Sequence, residues 1–469
     1  MTPQFLLDAP VRDQDEETAR TRLAEPTWAT AAGGARITRE AGARQPLVAV
    51  VGLGHAGLPS AIALRRAGFR IVGIDSSSSR LSDIRSGQAE VAGADRSDLR
   101  AHLGDEEFVL TDELEAVHAA DRVLICVPAT VGAQGHPSYD ALTRACAAIV
   151  RHARAGQTLV LTSTTHVGST RELLVEPLAE RGLCVGEDVF VAFSPERIDA
   201  GTAPDRERAS SVRVVGAVTE TCFAHAAELL RPLCHELHRV SSPAAAEMVR
   251  LYESSFRAVN IALAFEMADA CRTYSLDPIE VTDAAATKPV GFMAHYPSAG
   301  VGGHSVGVDP QQLLQPLRER GRPATLTEEA LRTVAARPRR VAQRAHELLL
   351  RSGAHLRDVR VLVVGVTYKP GVADCTHSPA VEIISRLQEE GVQVDFHDPL
   401  VRVLRVDGEQ IHGIDPDPRR DASGFGPEDY ELAIVVGIQP GYDYGWLRRC
   451  PQVLDCTYRQ RTGRRHFLL

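Results

Sequence analysis

Lysine is nearly missing from this chain of 469 residues: only Lys288 and Lys369 occur, and arginine carries the rest of the positive charge. The formal net charge is −9, so no basic field is left to attract nucleic acid or an anionic membrane surface. Any anionic ligand has to be held by local groups. The nine cysteines, Cys126, Cys146, Cys184, Cys222, Cys234, Cys271, Cys375, Cys450 and Cys456, are scattered, odd in number and without C-x-x-C spacing. That pattern argues against a zinc site and a disulfide scaffold, and it fits a reducing cytoplasm. No run of about 18 apolar residues occurs and the N-terminus has no long apolar stretch, so neither a membrane span nor a secretion signal is expected. What remains is the balance of a soluble globular protein, 44% hydrophobic and 24% charged, in a chain long enough for two or three domains.

Residues 1–45 are rich in Arg, Ala, Glu and Thr without sustained periodicity and read as a mobile N-terminal extension. From Pro46 the pattern changes: LVAVVGLG reads as a buried strand, SAIALRRAG as a helix closing on Gly68, and FRIVGID as a second strand. Further apolar runs at 121–128, 157–164, 188–195 and 211–216 alternate with helical stretches, which predicts a mostly parallel, doubly wound sheet. The segment after Pro243, to about Leu276, carries Met248, Leu251, Tyr252, Val259, Leu263 and Met267 at helical spacing with no glycine inside it. It is either a spine presenting a dimer surface or an ordinary core helix. A second strand–helix pattern starts at 359–370 and continues through a helix from about Pro379 to Glu390 and strands at 392–399 and 430–437. The expected fold class is therefore α/β, with two Rossmann-like doubly wound domains joined by a central helical domain with a long helix. The expected bounds are 46–235 for the first Rossmann domain, 236–330 for the helical part and 331–469 for the second.

The sequence Gly52-Leu53-Gly54-His55-Ala56-Gly57 follows a strand and opens a helix. Its first glycine permits a tight turn, the second lets backbone approach a pyrophosphate, and the third lets helix pack on strand, while the free N–H groups of the helix face the phosphates. Asp75 ends the next strand, where a carboxylate bonds the ribose hydroxyls and disfavours a 2′-phosphate; NAD is thereby favoured over NADP.

Several segments resemble the UDP-glucose/GDP-mannose dehydrogenase family, and in particular its branch acting on UDP-N-acetylhexosamines or GDP-mannose. They are VGLGHAGLP (51–59), ICVPATVGAQGHPSYD (125–140), TSTTHVGST (162–170), FSPERIDAG (193–201), AEMVRLYESSFRAVNIALAFEMA (246–268), DAAATKPVGFMAHYPSAGVGGHSVGVDP (283–310) and GVTYKPGVADCTHSPAVEII (365–384). The resemblance implies a homodimer with an NAD domain, a helical domain and a domain for the nucleotide of a sugar. It also implies two successive oxidations that turn a primary alcohol into a carboxylate through a cysteine-bound thiohemiacetal. The implied cofactor contacts are Gly52, Gly54, His55, Ala56, Gly57, Asp75, Arg80, Val127, Pro128 and Thr164. Thr164 matches a threonine that positions water, Glu196 a glutamate base and Asp309 an aspartate that orients catalytic water. The loop from Tyr296 through Gly300, Gly302 and Gly303 matches a flexible loop that wraps the nucleotide sugar, and Lys369 matches a nucleotide-contacting lysine.

The same resemblance exposes departures. The family's catalytic cysteine falls at Ser305, and its lysine and asparagine fall at Arg250 and Ser254, one turn apart on a helix face. An alcohol needs strong activation before it attacks carbon, and a guanidinium with a pKa above about 12 keeps its charge but cannot shuttle protons. An arginine of the C-terminal motif is Thr376. These changes beside intact binding loops lead to an NAD-dependent oxidoreductase of a UDP- or GDP-sugar with atypical chemistry, either a single oxidation or an internal redox giving epimerisation or elimination. The alternatives are a conventional four-electron UDP-sugar 6-dehydrogenase forming a uronic acid, and a catalytically silent subunit that binds NAD and nucleotide sugar.

Overall fold

Both faces of a parallel sheet are covered, so its strands read as almost unbroken Val, Ile and Leu. Strand β1 (Leu47–Val51) does so, and its last four residues are buried. The computed structural model describes residues 45–89, 93–128, 130–131, 137–197, 211–303, 305–353, 355–415, 426–459 and 466–469. The extension expected over 1–45 therefore lies outside the described residues apart from Gln45.

β1 runs parallel to β2 (Arg70–Ile74) on one side. On the other it runs parallel to β4 (Arg122–Ile125), while β3 (Phe108–Thr111) lies beyond β2. The sheet continues through β5 (Thr158–Leu161), β6 (Phe190–Phe193), β7 (Val212–Ala217) and β8 (Glu236–Val240), in the order β8-β7-β6-β5-β4-β1-β2-β3. Only the β6–β7 pairing is antiparallel. The strand order reverses between β1 and β4, which opens a crevice outside their carboxyl ends, the usual ligand position in such sheets. Helix α1 (Gly57–Arg66) starts at that crevice. The two strands of this sheet not read from sequence, β3 and β8, lie at its edges, where Phe108 alone of their residues is buried and the apolar signal is diluted.

The second sheet is parallel throughout, in the order β10-β9-β11-β12-β13: β9 is Arg360–Val364, β10 Gln393–His397, β11 Leu432–Val435, β12 Val453–Asp455 and β13 His466–Leu468. The expected α/β class and its two parallel sheets are thus present.

Two long helices lie between the sheets in sequence. Helix α2 (Pro243–Thr273) is capped by Ser242, whose hydroxyl accepts from the Ala245 N–H, with Pro243 in the first turn, where no N–H is needed. Its buried face is made of Ala246, Leu251, Ser254, Ala258, Ala262, Phe265 and Ala268. Met248, Tyr252, Leu263 and Met267 stand exposed on another face, so α2 is not an ordinary core helix. Helix α3 (Thr325–Arg351) packs Ala330 and Val334 against Ala262 and Phe265 of α2. The domain bound expected at 330/331 falls inside this helix, which continues through Pro338. Arg337, 1% exposed, pins the region: it donates to Asp269, to the Tyr458 hydroxyl and to the Ser298 carbonyl. Its guanidinium also lies over the Phe265 ring. Helix α4 (Pro379–Glu389) covers the second sheet, with Ile383, Ile384 and Leu387 buried among the strand residues.

Candidate active site

Each glycine of the first βα turn has a distinct physical task. Gly52 has φ +90°, and a Cβ there would sit 2.8 Å from the Cys126 carbonyl oxygen. A Cβ on Gly57 would come within 1.8 Å of the Gly52 carbonyl oxygen, so the start of α1 could not close on the strand. At Gly54 an added Cβ meets nothing within 4 Å; this is the open position along the loop. Asp75 organises the same loop, since one carboxylate oxygen accepts from the Leu53 N–H (2.8 Å) and the other from the Ser77 N–H (2.9 Å). Arg80 donates to the Leu53 carbonyl at 3.0 Å. His55 and Pro128 are exposed and Ala56 and Val127 half-buried, around the mouth of the crevice. The residues fit a dinucleotide: a backbone cradle with one Cβ-free opening, a helix N-terminus and an acid at the end of β2.

A second cluster forms where α2 meets the loops after β5 and around residue 305. Arg250 Nη2 donates to Asp309 Oδ2 (2.9 Å) and to Ser305 Oγ (3.2 Å), and its Nε reaches Thr164 Oγ1 at 3.4 Å. One turn along α2, Ser254 donates to the same Asp309 oxygen at 3.2 Å and lies 3.5 Å from Ser305 Oγ. Asp309 is 4% exposed. Burial raises its carboxyl above the usual range, against the opposing pull of Arg250 and Ser254. Five of the expected catalytic residues, Thr164, Arg250, Ser254, Ser305 and Asp309, are therefore brought together. The sixth, Glu196, pairs with the buried Arg213 at 3.0 Å, and its N–H donates to the Thr162 carbonyl, two residues before Thr164, at 3.4 Å.

None of the nine cysteines hydrogen-bonds to this cluster among the described residues. Burial pushes the thiols of Cys126, Cys146 and Cys450 up to about 12, so they remain protonated. Ser305 touches the Arg250 guanidinium and the Ser254 hydroxyl; His304 lies outside the described residues.

The glycines of the loop from Tyr296 to Gly303 sit in close surroundings. A Cβ on Gly300 (φ +153°) would lie 2.8 Å from Pro379 Cβ. One on Gly302 would lie 2.5 Å from Tyr368 Cβ and 2.8 Å from the His377 carbonyl oxygen. These glycines serve close packing of the loop against the start of α4 and the turn after β9. That turn carries Lys369 next to Tyr368, and Gly303 N–H donates to the Thr376 carbonyl at 2.9 Å, so Tyr368 and Thr376 border the loop. Tyr296, at its start, donates to Asp283 at 2.7 Å, and its ring lies 5.7 Å from the Arg459 guanidinium.

Two residues that the sequence reading passed over belong here. Glu247, 1% exposed, accepts from the Gly168 N–H (2.6 Å), the Thr170 N–H (2.8 Å) and the Thr170 hydroxyl (2.6 Å). It lies one turn before Arg250 and ties the Thr164–Thr170 loop to α2. An acid one turn before Arg250, in the pattern Glu247-x-x-Arg250, was the available signal. Tyr139 packs edge-on against His166 at 5.2 Å, and His166 hydrogen-bonds Glu172 at 2.9 Å. Burial and then the charge of Asp309 hold the Tyr139 phenol above its ordinary range.

Family models describe the same three parts in the same order. The UDP-glucose/GDP-mannose dehydrogenase NAD binding domain matches residues 46–234, its central domain 244–334 and its UDP binding domain 362–423. The chain belongs to the UDP-glucose/GDP-mannose dehydrogenase family. Among its relatives are a UDP-N-acetyl-D-glucosamine 6-dehydrogenase of Pseudomonas aeruginosa, 31% identical over 79% of this chain and 86% of the relative. A UDP-N-acetyl-D-mannosamine dehydrogenase of Pyrococcus horikoshii is 32% identical over 76% of this chain and 84% of its own. The solved structure of UDP-D-ManNAc dehydrogenase from Pyrococcus horikoshii superposes with a TM-score of 0.80 at 26% identity, covering 90% of this chain and 98% of that one. Residues 46–234 are thus the family's NAD binding domain, and the protein is an NAD-dependent oxidoreductase of the nucleotide-sugar dehydrogenase kind.

Proposed function

We propose that this family member oxidises a nucleotide-linked sugar once, or oxidises and re-reduces it in place, without completing acid formation. The observation that carries this reading is the centre itself: an arginine, two serines, a threonine and a buried aspartate, with no thiol bonded to any of them. Bound NAD supplies a hydride acceptor. The chain's own groups provide the rest of the first oxidation. Arg250 presents a permanent positive charge to an alcohol oxygen that gains negative charge as its proton leaves. Asp309, raised by burial, is a stronger base than an exposed aspartate and takes that proton, directly or through the Ser254 hydroxyl. Ser305, whose oxygen accepts from Arg250, is a hydrogen-bond partner for the sugar rather than a nucleophile, since no carboxylate or imidazole among the described residues is bonded to it. Tyr296, Gly300, Gly302, Gly303 and Lys369 border the nucleotide-sugar side, and Gly52 to Gly57 with Asp75 hold the cofactor.

The test is stoichiometry. Purified protein is incubated with NAD and a panel of UDP- and GDP-sugars, NADH is counted per sugar consumed, and products are identified by mass. One NADH or none per converted sugar is expected. Two NADH with a carboxylate product would establish the conventional four-electron reading, which the names of the relatives favour. Binding without turnover would establish a silent subunit. In the first case Ser305→Cys is expected to produce acid.

A further inference from the structure

We propose that the protein has a second ligand site, at the C-terminal end of α2, for an organic anion with an apolar body. A cavity of about 720 Å³ opens there, lined by Arg272, Arg344 and His466 on one side and by Leu276, Phe467 and Leu468 on another. That volume suits a small-molecule ligand. None of its lining residues belongs to the cofactor crevice, the Arg250 cluster or the loop from Tyr296 to Gly303.

The polar wall has donors left over. Arg344 Nε and His466 Nε2 are buried atoms with no hydrogen-bond partner among the described residues. Arg344 uses another nitrogen on Glu347 at 3.0 Å, and His466 Nε2 is 3.7 Å from Asp455, beyond a hydrogen bond. Buried donors are normally satisfied, and an unmet one carries a desolvation cost that a bound acceptor removes. Arg272 adds an exposed guanidinium at the rim. Asp277 and the terminal residue Leu469 also line the cavity; one Asp277 carboxylate oxygen is engaged by the Ile279 N–H at 2.9 Å, where it caps the next helix. A second cavity of about 260 Å³ shares Arg272 and Arg344; its other arginines, Arg337 and Arg340, are paired with Asp269, which also lines it with Glu347. Carboxylate and phosphate share the chemistry this wall recognises, and the apolar wall selects for a hydrocarbon or ring attached to either.

Calorimetry on the full chain, with UDP and NADH saturating the family's two nucleotide sites, tests this with phenyl phosphate, benzoate, inorganic phosphate and benzyl alcohol. Phenyl phosphate or benzoate is expected to bind with one site per chain, and which of them binds tighter identifies the headgroup. Affinity is expected to fall about tenfold or more in Arg272→Gln and in Arg344→Gln. Arg272 is exposed, so that variant folds even if Arg344→Gln is impaired, and NADH affinity should be unchanged in both. Absence of binding to the unaltered protein, binding untouched by Arg272→Gln, or inorganic phosphate binding as tightly as phenyl phosphate would each overturn the proposal.

Discussion

Gly54 and Gly57 stand three residues apart in one motif, yet the structure assigns them opposite sensitivities. Gly57→Ala drives a Cβ to within 1.8 Å of backbone and should cost stability on the scale of overpacking, about 1–3 kcal/mol or more, read as a lowered Tm. Gly54→Ala meets no protein atom, so its Tm should match the parent while NAD affinity falls by roughly tenfold, ~1.4 kcal/mol, because the new methyl group occupies the cofactor's approach. Equal Tm losses in both variants would remove that distinction. Asp309 yields a second prediction at this scale. As the base it works ionised, so kcat/KM should fall as pH drops through its carboxyl pKa. Burial raises that pKa, which moves the acid limb to a higher pH than an ordinary aspartate near 3.9 would give. Asp309→Asn should lose the limb along with about 10²–10⁴ of the rate, measured as a pH profile of initial NADH formation.

The helix α2 and the loop after β5 act as one element because Glu247 joins them. Its two oxygens accept three donors from the loop, and a glutamine offers a single acceptor oxygen in their place. Glu247→Gln should therefore destabilise by about 1–3 kcal/mol in thermal unfolding. It should also lower kcat while NAD affinity stays near the parent value, because Thr164 loses its placement beside Arg250 and the Gly52–Gly57 turn is untouched. An unchanged kcat would make Glu247 a structural anchor only. The loop from Tyr296 to Gly303 has the contrary lesson. Its glycines suggest freedom in one dimension, but Pro338, Pro379 and Tyr368 press on them from three different segments.

Across the whole molecule, α2 presents Tyr252, Leu263 and Met267 at 69%, 51% and 50% exposure, with Val290, Phe292 and Met293 also exposed nearby in sequence. Large apolar residues exposed together along one helix mark an interface, and the expected partner is a second copy of the chain. Light scattering is expected to give twice the chain mass, and Leu263→Glu with Met267→Glu the monomer mass. A monomeric parent protein would refute the dimer. The α/β class, two Rossmann-like domains and NAD as cofactor were all readable because period-2 and period-3.6 patterns, glycine spacing and a strand-end acid are local signals.

Residue order alone thus gave the family and NAD as cofactor, and offered the loop Gly52–Gly57 with the acid Asp75 as its candidate site, since each depends on neighbours within a few turns of chain. It also presented Thr164, Glu196, Arg250, Ser254, Ser305 and Asp309 as one candidate group. Only tertiary packing revealed their partners: five converge on Arg250, and Glu196 pairs with the buried Arg213. Burial was equally invisible beforehand, and it is burial that raises Asp309, makes Glu247 an anchor rather than a surface acid and turns loop glycines into contacts. The physical reason is common to all three. Desolvation and close approach depend on atoms contributed from distant parts of the chain, so they exist only once the chain has folded.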